Sequence, residues 1–335
     1  MQKSYSRRRL TMGLLAAATV LLCGCASSSP GRDVGPTAPL GNSLSAWHET
    51  AVKQSILEFV EAAVRPGDAN FIPTEERVAT FDFDGTVGCE KPDYMEVMVA
   101  MARLCELAEQ DPELLKQALY RASCDGDFKT VNAQVEEALL EAFAGEAQSF
   151  YVDYVANFLE TQNHPRFDRP YAQLYYLPMR QLIEYLEAHD FRVYLVSGSQ
   201  QGLTRTFGSR VLGLPPERLM GSPVELQFDV SEDGARLIRQ EKFRDPSLDG
   251  SGKVEVIQQR LGRRPVLAFG NSMGDFEMLQ SATDGDRPGL ALILVHDDPE
   301  EYVYEDQKLV QHAKEEGWEI VGMKESFRVL FPDQH

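Results

Sequence analysis

Apolar residues run along this chain in two rhythms. Four short stretches are apolar almost without interruption: RVATFDF at 77–83, FRVYLVS at 191–197, PVLAFGNS at 265–272 and LALILVH at 290–296. Runs of this length without alternation predict strands buried on both faces. Elsewhere apolar positions recur every three or four residues, which predicts amphipathic helices. Such stripes occupy 47–64, MEVMVAMARLCELAEQ, DPELLKQALYRA, KTVNAQVEEALLEAFAG, SFYVDYVANFLETQ, MRQLIEYLEAH, SQQGLTRTFGSRVLG, KVEVIQQRLG and DFEMLQSA. Asp111-Pro112 has the form of a helix start, a cap followed by proline. LMGSPVELQFDVSEDGARLIRQ, 219–240, holds two strand-like runs around SEDG and predicts a hairpin.

Strand–helix–strand alternation argues for an α/β fold, a doubly wound parallel sheet covered on both faces. The helical stretch from Pro92 to about Ala188 is too long for a simple crossover. It predicts an inserted α-helical cap domain over 88–185, with the core domain formed by 47–87 and 186–335.

The first residues follow another pattern. MQKSYSRRRL is basic, MGLLAAATVLL is a short apolar run, and LCGC follows at 22–25. This order reads as a secretory leader, and the apolar run is short for a bilayer span. Its end resembles a bacterial lipoprotein lipobox. The resemblance implies a signal peptide over 1–24, lipidation at Cys25, and a periplasm-facing lipoprotein of the cell envelope. Ala26 after the cysteine implies the outer membrane. SRRRL resembles a twin-arginine export signal, although a basic leader alone also explains it. Residues 25–46 are small, polar and Pro/Gly-rich, a flexible tether.

Composition narrows the picture. The net charge is -19, with no basic stripe, which argues against nucleic-acid binding. Removing 1–24 takes away Lys3, Arg7, Arg8 and Arg9 and no acid. Cys89, Cys105 and Cys124 fit no zinc spacing. In an oxidising compartment either one pair is bridged, leaving an odd thiol, or all three pack as small hydrophobes.

The chemistry gathers where the apolar runs end. The first ends in Asp82 and Asp84, the second in Ser197-Gly198-Ser199, the third in GNSMGD, 270–275. Open parallel sheets bind ligands outside the carboxyl ends of their strands. Lys253, at the start of its helix, joins the same edge. The ordered stretches DFDGT, VSGS, GKVEVI and GNSMGD resemble the motifs of the haloacid dehalogenase superfamily of phosphatases, and phosphoryl transfer needs a nucleophile, charge neutralisation and a proton donor. On that resemblance Asp82 is the expected nucleophile and Asp84 the expected acid and then base. Adjacent anions repel an anionic substrate, so a cation is needed, and hard oxygens suit Mg²⁺. The expected shell is the Asp82 side chain, the Asp84 carbonyl and a group from Asn271 or Asp275. Ser197, Gly198, Gly85, Thr86 and the amides of the DGT turn are the expected phosphate binders, with Lys253 neutralising charge and Lys242 its rival.

The four motifs of that superfamily are matched in order over about 76–296. The helical insert matches that family's cap, and the nearest branch is phosphoserine-phosphatase-like. The resemblance implies a Mg²⁺-dependent phosphomonoesterase working through an aspartyl phosphate. It implies a small phosphorylated metabolite as substrate, such as phosphoserine or phosphocholine. Asn271 departs from that branch, where aspartate is usual. Glu90 is a candidate substrate contact, one residue closer to the first motif than the branch's glutamate. Aromatics in YAQLYY, 171–176, either line a pocket for a choline-like cation or pack in the core. Two other readings compete: a phosphotransferase or mutase with the same nucleophile, and a non-catalytic envelope binding protein on a decayed site.

Overall fold

Strand β1, Val78–Phe81, is buried along its whole length and lies in the middle of a six-stranded sheet. The computed structural model describes residues 44–332 except 232 and 233. The leader, Cys25 and nearly all of the tether lie outside the described residues, as does the tip of the predicted hairpin. Among the described residues no helix is long and apolar enough to cross a membrane.

The sheet runs β3-β2-β1-β6-β7-β8, with β2 Arg192–Gln200, β3 Leu219–Ser222, β6 Leu267–Gly270, β7 Leu290–Val295 and β8 Glu319–Gly322. Every neighbouring pair is parallel. Successive side chains of a strand point to opposite faces, and both faces are apolar here. Ala79, Phe81, Val193, Leu195, Leu267 and Phe269 join one core cluster. Val78, Tyr194, Val196 and Ala268 join the other. The first is covered by α1, Ala51–Val64, by α7, Leu177–Ala188, and by α8, Gln201–Val211. The second is covered by α9, Ser251–Leu261, α10, Phe276–Thr283, and α11, Gln307–Glu316. Two-sided burial is why the strands read as unbroken apolar runs. A last short helix, α12, is Met323–Ser326.

Between β1 and α7 lie only helices: α2 Met95–Gln110, α3 Ala118–Asp125, α4 Phe128–Asn132, α5 Val135–Glu141 and α6 Gln148–Thr161. DPELLKQALYRA is not one helix. Asp111 caps a short 3₁₀ turn, accepting from the Glu113 amide, and extended backbone at Gln117 ends it before α3. The break leaves Leu119, Tyr120 and Ala122 buried on α3. Cys105 and Cys124 form a disulfide between α2 and α3, and Cys89 is a buried free thiol.

The run at 219–240 also divides. Leu219–Ser222 is the edge strand β3, and only then does the hairpin begin, with β4 Val224–Ser231 and β5 Gly234–Phe243. Pro223 separates them, having no N–H to continue a ladder. The hairpin reaches the helical insert: Arg239 donates its amide to the Glu146 carbonyl at 2.9 Å, and Gly145 donates to the Arg239 carbonyl at 3.0 Å.

Candidate active site

The order of the sheet reverses between β1 and β6, and their carboxyl ends lie side by side, Phe81 opposite Phe269. This is the switch point where an open sheet leaves a crevice. Asp82 enters it directly, its amide donating to the Phe269 carbonyl at 2.9 Å. Lys253, in the first turn of α9, donates to Asp82 Oδ1 at 2.6 Å and to Asp275 Oδ1 at 2.5 Å. All three side chains are buried. Burial alone would pull the lysine down, but Asp275 and Asp82 outweigh it and hold the ammonium charged. Lys242 is exposed on β5 beside Glu225 and takes no part.

Asp84 has different company. Its Oδ2 accepts from Ser199 Oγ at 2.7 Å and Ser197 Oγ at 3.4 Å, while its buried Oδ1 has no partner. Burial pushes its carboxyl up to about 7. Ser199 pulls back, and the charges of Glu96 and Glu90 push further. Asp82 is also pushed up, by burial and by Asp275, with Lys253 opposing.

Two glycines shape the crevice. Gly85 has φ +75, and a Cβ there would lie 2.0 Å from Asn271 Nδ2. A Cβ on Gly270 would meet the Asp275 Cβ at 2.4 Å. The structure corrects one expectation at this turn. The Gly85 amide is taken by the Gly88 carbonyl and the Thr86 amide by the Phe83 carbonyl, and the Thr86 hydroxyl donates to Asn271 Oδ1 at 3.3 Å. The turn folds onto itself, so these two amides are not free for phosphate. The amides of Phe83 and Asp84 form no hydrogen bond among the described residues. Gly198 is exposed at the end of β2, beside the buried Ser197.

Asp275 has a partner on each oxygen: Oδ1 accepts from Lys253, and Oδ2 accepts from the Asn271 and Ser272 amides at 3.0 and 3.1 Å. It thereby orients the lysine and the turn. Among the described residues no group of three acidic, histidine or cysteine side chains is arranged for a metal ion. The second Asp82 oxygen and the Asp84 carbonyl have no hydrogen-bond partner among the described residues, and the Asn271 amide oxygen has only the long contact from Thr86 at 3.3 Å. They are hard ligands, as Mg²⁺ prefers. The charge balance also suits a cation: Asp82, Asp84, Asp275, Glu90 and Glu96 gather around Lys253 and Lys91.

A family model for haloacid dehalogenase-like hydrolases matches residues 79–280. The chain belongs to this family. A solved structure of a conserved functionally unknown protein from Anaerococcus prevotii shares the fold, with a TM-score of 0.53 and 15% identity over 80% of this chain and 91% of that one. A hydrolase of the same family from Salmonella enterica serovar Typhi is similar at a TM-score of 0.40 and 15% identity, over 77% and 72%. A phosphoserine phosphohydrolase-like protein from Francisella tularensis is similar at 0.36 and 14%, over 70% and 98%. No significant match was found among curated proteins.

In this haloacid dehalogenase-like hydrolase the sheet edge holds more than the four motifs. Glu90 lies buried against the Gly85 turn and pairs with Lys91 at 3.4 Å. Tyr171, Tyr175 and Tyr176 are buried in the core, so YAQLYY packs rather than lining a cation pocket. Sequence reasoning placed Ser199 at the strand end without giving it a role, and passed over Glu96 and a pair below the turn. His296 Nε2 approaches the Gly85 carbonyl at 2.8 Å, and Nδ1 approaches Glu301 at 3.1 Å. Glu301, fully buried, also accepts from Cys89 and Tyr176, each at 3.0 Å, and from the Tyr302 amide at 2.7 Å. A signal was present: His296 follows β7 as Asp82 follows β1.

Proposed function

We propose that this hydrolase is a Mg²⁺-dependent phosphomonoesterase acting on a small phosphate ester in the cell envelope. The observation that carries the reading is the unlike company of its two motif aspartates. Asp82 is clamped by a lysine, whereas Asp84 has only hydroxyl partners, a carboxyl near neutrality and one unpartnered oxygen. Neighbouring carboxyls in unlike surroundings divide into acid and nucleophile.

Asp82 attacks phosphorus, forming an acyl phosphate as the P–O bond to the leaving alcohol breaks. Asp84 gives its proton to the departing oxygen. It then takes a proton from water as that water attacks the same phosphorus, and the acyl phosphate opens to return Asp82 and inorganic phosphate. Lys253 holds Asp82 in place and offsets the phosphate charge. Ser197 and the free amides of Phe83 and Asp84 receive phosphoryl oxygens. When bound, Mg²⁺ would be held by the Asp82 carboxyl, the Asp84 carbonyl and the Asn271 amide oxygen and would supply charge neutralisation. A cation here would also act against burial and Asp275, which push the Asp82 carboxyl up. Buried Glu90 on the same turn supports a substrate carrying an amine.

Lipidation at Cys25 completes the reading, and the Cys105–Cys124 disulfide supports an oxidising compartment. The deciding assay is phosphate release from p-nitrophenyl phosphate with Mg²⁺, with chelator and with Asp82→Asn. Turnover that needs Mg²⁺ and Asp82 is expected. Turnover that survives Asp82→Asn would sink the assignment.

A further inference from the structure

A cavity of about 500 Å³ lies between α6, α8 and the β4–β5 hairpin, apart from the Asp82 crevice. That is the size of a small-molecule site. Its walls are largely apolar: Val152, Pro216, Pro223, Val224, Leu226 and Leu237. Alternation along the hairpin extends this surface. Leu226, Phe228 and Val230 share a face with their register partners Arg239, Leu237 and Ala235, and Phe228 and Val230 are exposed.

Polar side chains interrupt the apolar surface, Gln148, Gln200, Arg205 and Arg239 among them, and Arg239 is the most deeply set of its cations. Arg239 is 3% exposed. Its Nη1 donates to Gln148 Oε1 at 2.9 Å, its Nη2 to Gln200 Oε1 at 2.5 Å, and its guanidinium lies over the Tyr151 ring at 3.9 Å. Every one of these partners is neutral. Its buried Nε has no hydrogen-bond partner, and Arg239 forms no ion pair among the described residues. A second guanidinium, Arg205, reaches the cavity and has Arg260 rather than a carboxylate as its charged neighbour. A buried cation without a counter-charge is costly. An anion in the cavity would remove that cost, and the apolar walls select what the anion is attached to.

We propose that this cavity binds an amphiphilic monoanion, its head on Arg239 and its hydrocarbon body along Leu226 and Leu237. The ligand is either a free amphiphile or a lipid presented by a bilayer. Binding here does not depend on the phosphatase reading and is measured without turnover.

The test is calorimetric titration of the purified full chain with decanoate and with decanol. Decanoate should bind at one site per chain, roughly tenfold or more tighter than decanol, the margin expected for hydrogen bonds to a charged group. Arg239→Gln should remove that margin and leave decanol unchanged. Leu226→Asp, which sets a carboxylate opposite Arg239 on a partly exposed position, should remove the margin as well, while weakening both ligands because it also charges the apolar wall. It decides the matter if thermal melts show that Arg239→Gln does not fold. Absent decanoate binding, equal binding of decanoate and decanol, or a decanoate affinity untouched in a folded variant would each overturn the proposal. Flotation of the Cys25→Ser chain, which lacks the lipid anchor, with phosphatidylglycerol vesicles separates the sources. Where decanoate binding is lost, parallel loss of vesicle binding in the same variant supports a bilayer lipid. Unchanged vesicle binding supports a free amphiphile.

Discussion

Lys253 neutralises two buried carboxylates at once, so its removal should be felt twice. Lys253→Met leaves Asp82 and Asp275 without their counter-charge. A loss of roughly 3–5 kcal/mol in stability is expected by denaturant unfolding, together with loss of turnover. In the proposed mechanism Asp84 acts through its proton, so its worth depends on the leaving group. Asp84→Asn should slow hydrolysis of an alkyl phosphate by about 10²–10⁴-fold. It should slow p-nitrophenyl phosphate less, because nitrophenolate leaves without a proton. Equal slowing of both substrates would remove Asp84 from the acid role. Glu96 offers a test in stability alone. Burial raises its carboxyl to about 7, with the Gln200 amide, which donates at 2.9 Å, opposing. The folded value lies above the unfolded one, so the folded chain binds the extra proton between them. Stability from this group is present below about pH 4.5 and is lost as pH rises through about 7. Glu96 keeps some solvent contact, so the loss is about 1–2 kcal/mol. Glu96→Gln should flatten melting temperature against pH across that window.

Strand ends set the site, and the segment after β7 supports it from below. His296 bridges Glu301 and the Gly85 carbonyl, linking the segment to the turn after β1. His296→Phe takes one of four partners from the buried Glu301 carboxylate and frees that carbonyl. It should cost about 2–4 kcal/mol in unfolding experiments and raise KM for substrate more than a surface substitution does. The motif strands were legible in the sequence because burial on both faces writes itself as an unbroken apolar run. β3 and β8 were not, since LMGS merges into the hairpin ahead of Pro223 and EIVG is too brief to stand out. Asp82, Asp84, Ser197 and Lys253 were legible because a parallel sheet brings its carboxyl ends together. The split of work between Asp275 and Asn271 was not, because it depends on which oxygens the backbone amides claim. Nor was the turn at Gly85 and Thr86, whose amides are consumed by its own closure. His296 and Glu301 meet only when the chain after β7 folds back beneath that turn.

At the scale of the whole chain, export and lipidation should be separable from folding. Cys25→Ser should move the protein from the membrane to the soluble fraction on cell fractionation while its melting temperature stays the same. A membrane-bound Cys25→Ser variant would point to a different anchor. The hairpin between β3 and α9 carries another consequence. Its backbone is laced to residues 145 and 146 of the helical insert, and Arg239 adds side-chain ties to Gln148 and Gln200. A roof resting only on its two chain crossings can swing like a trapdoor. This one has a third pillar, and swinging it open means breaking that ladder.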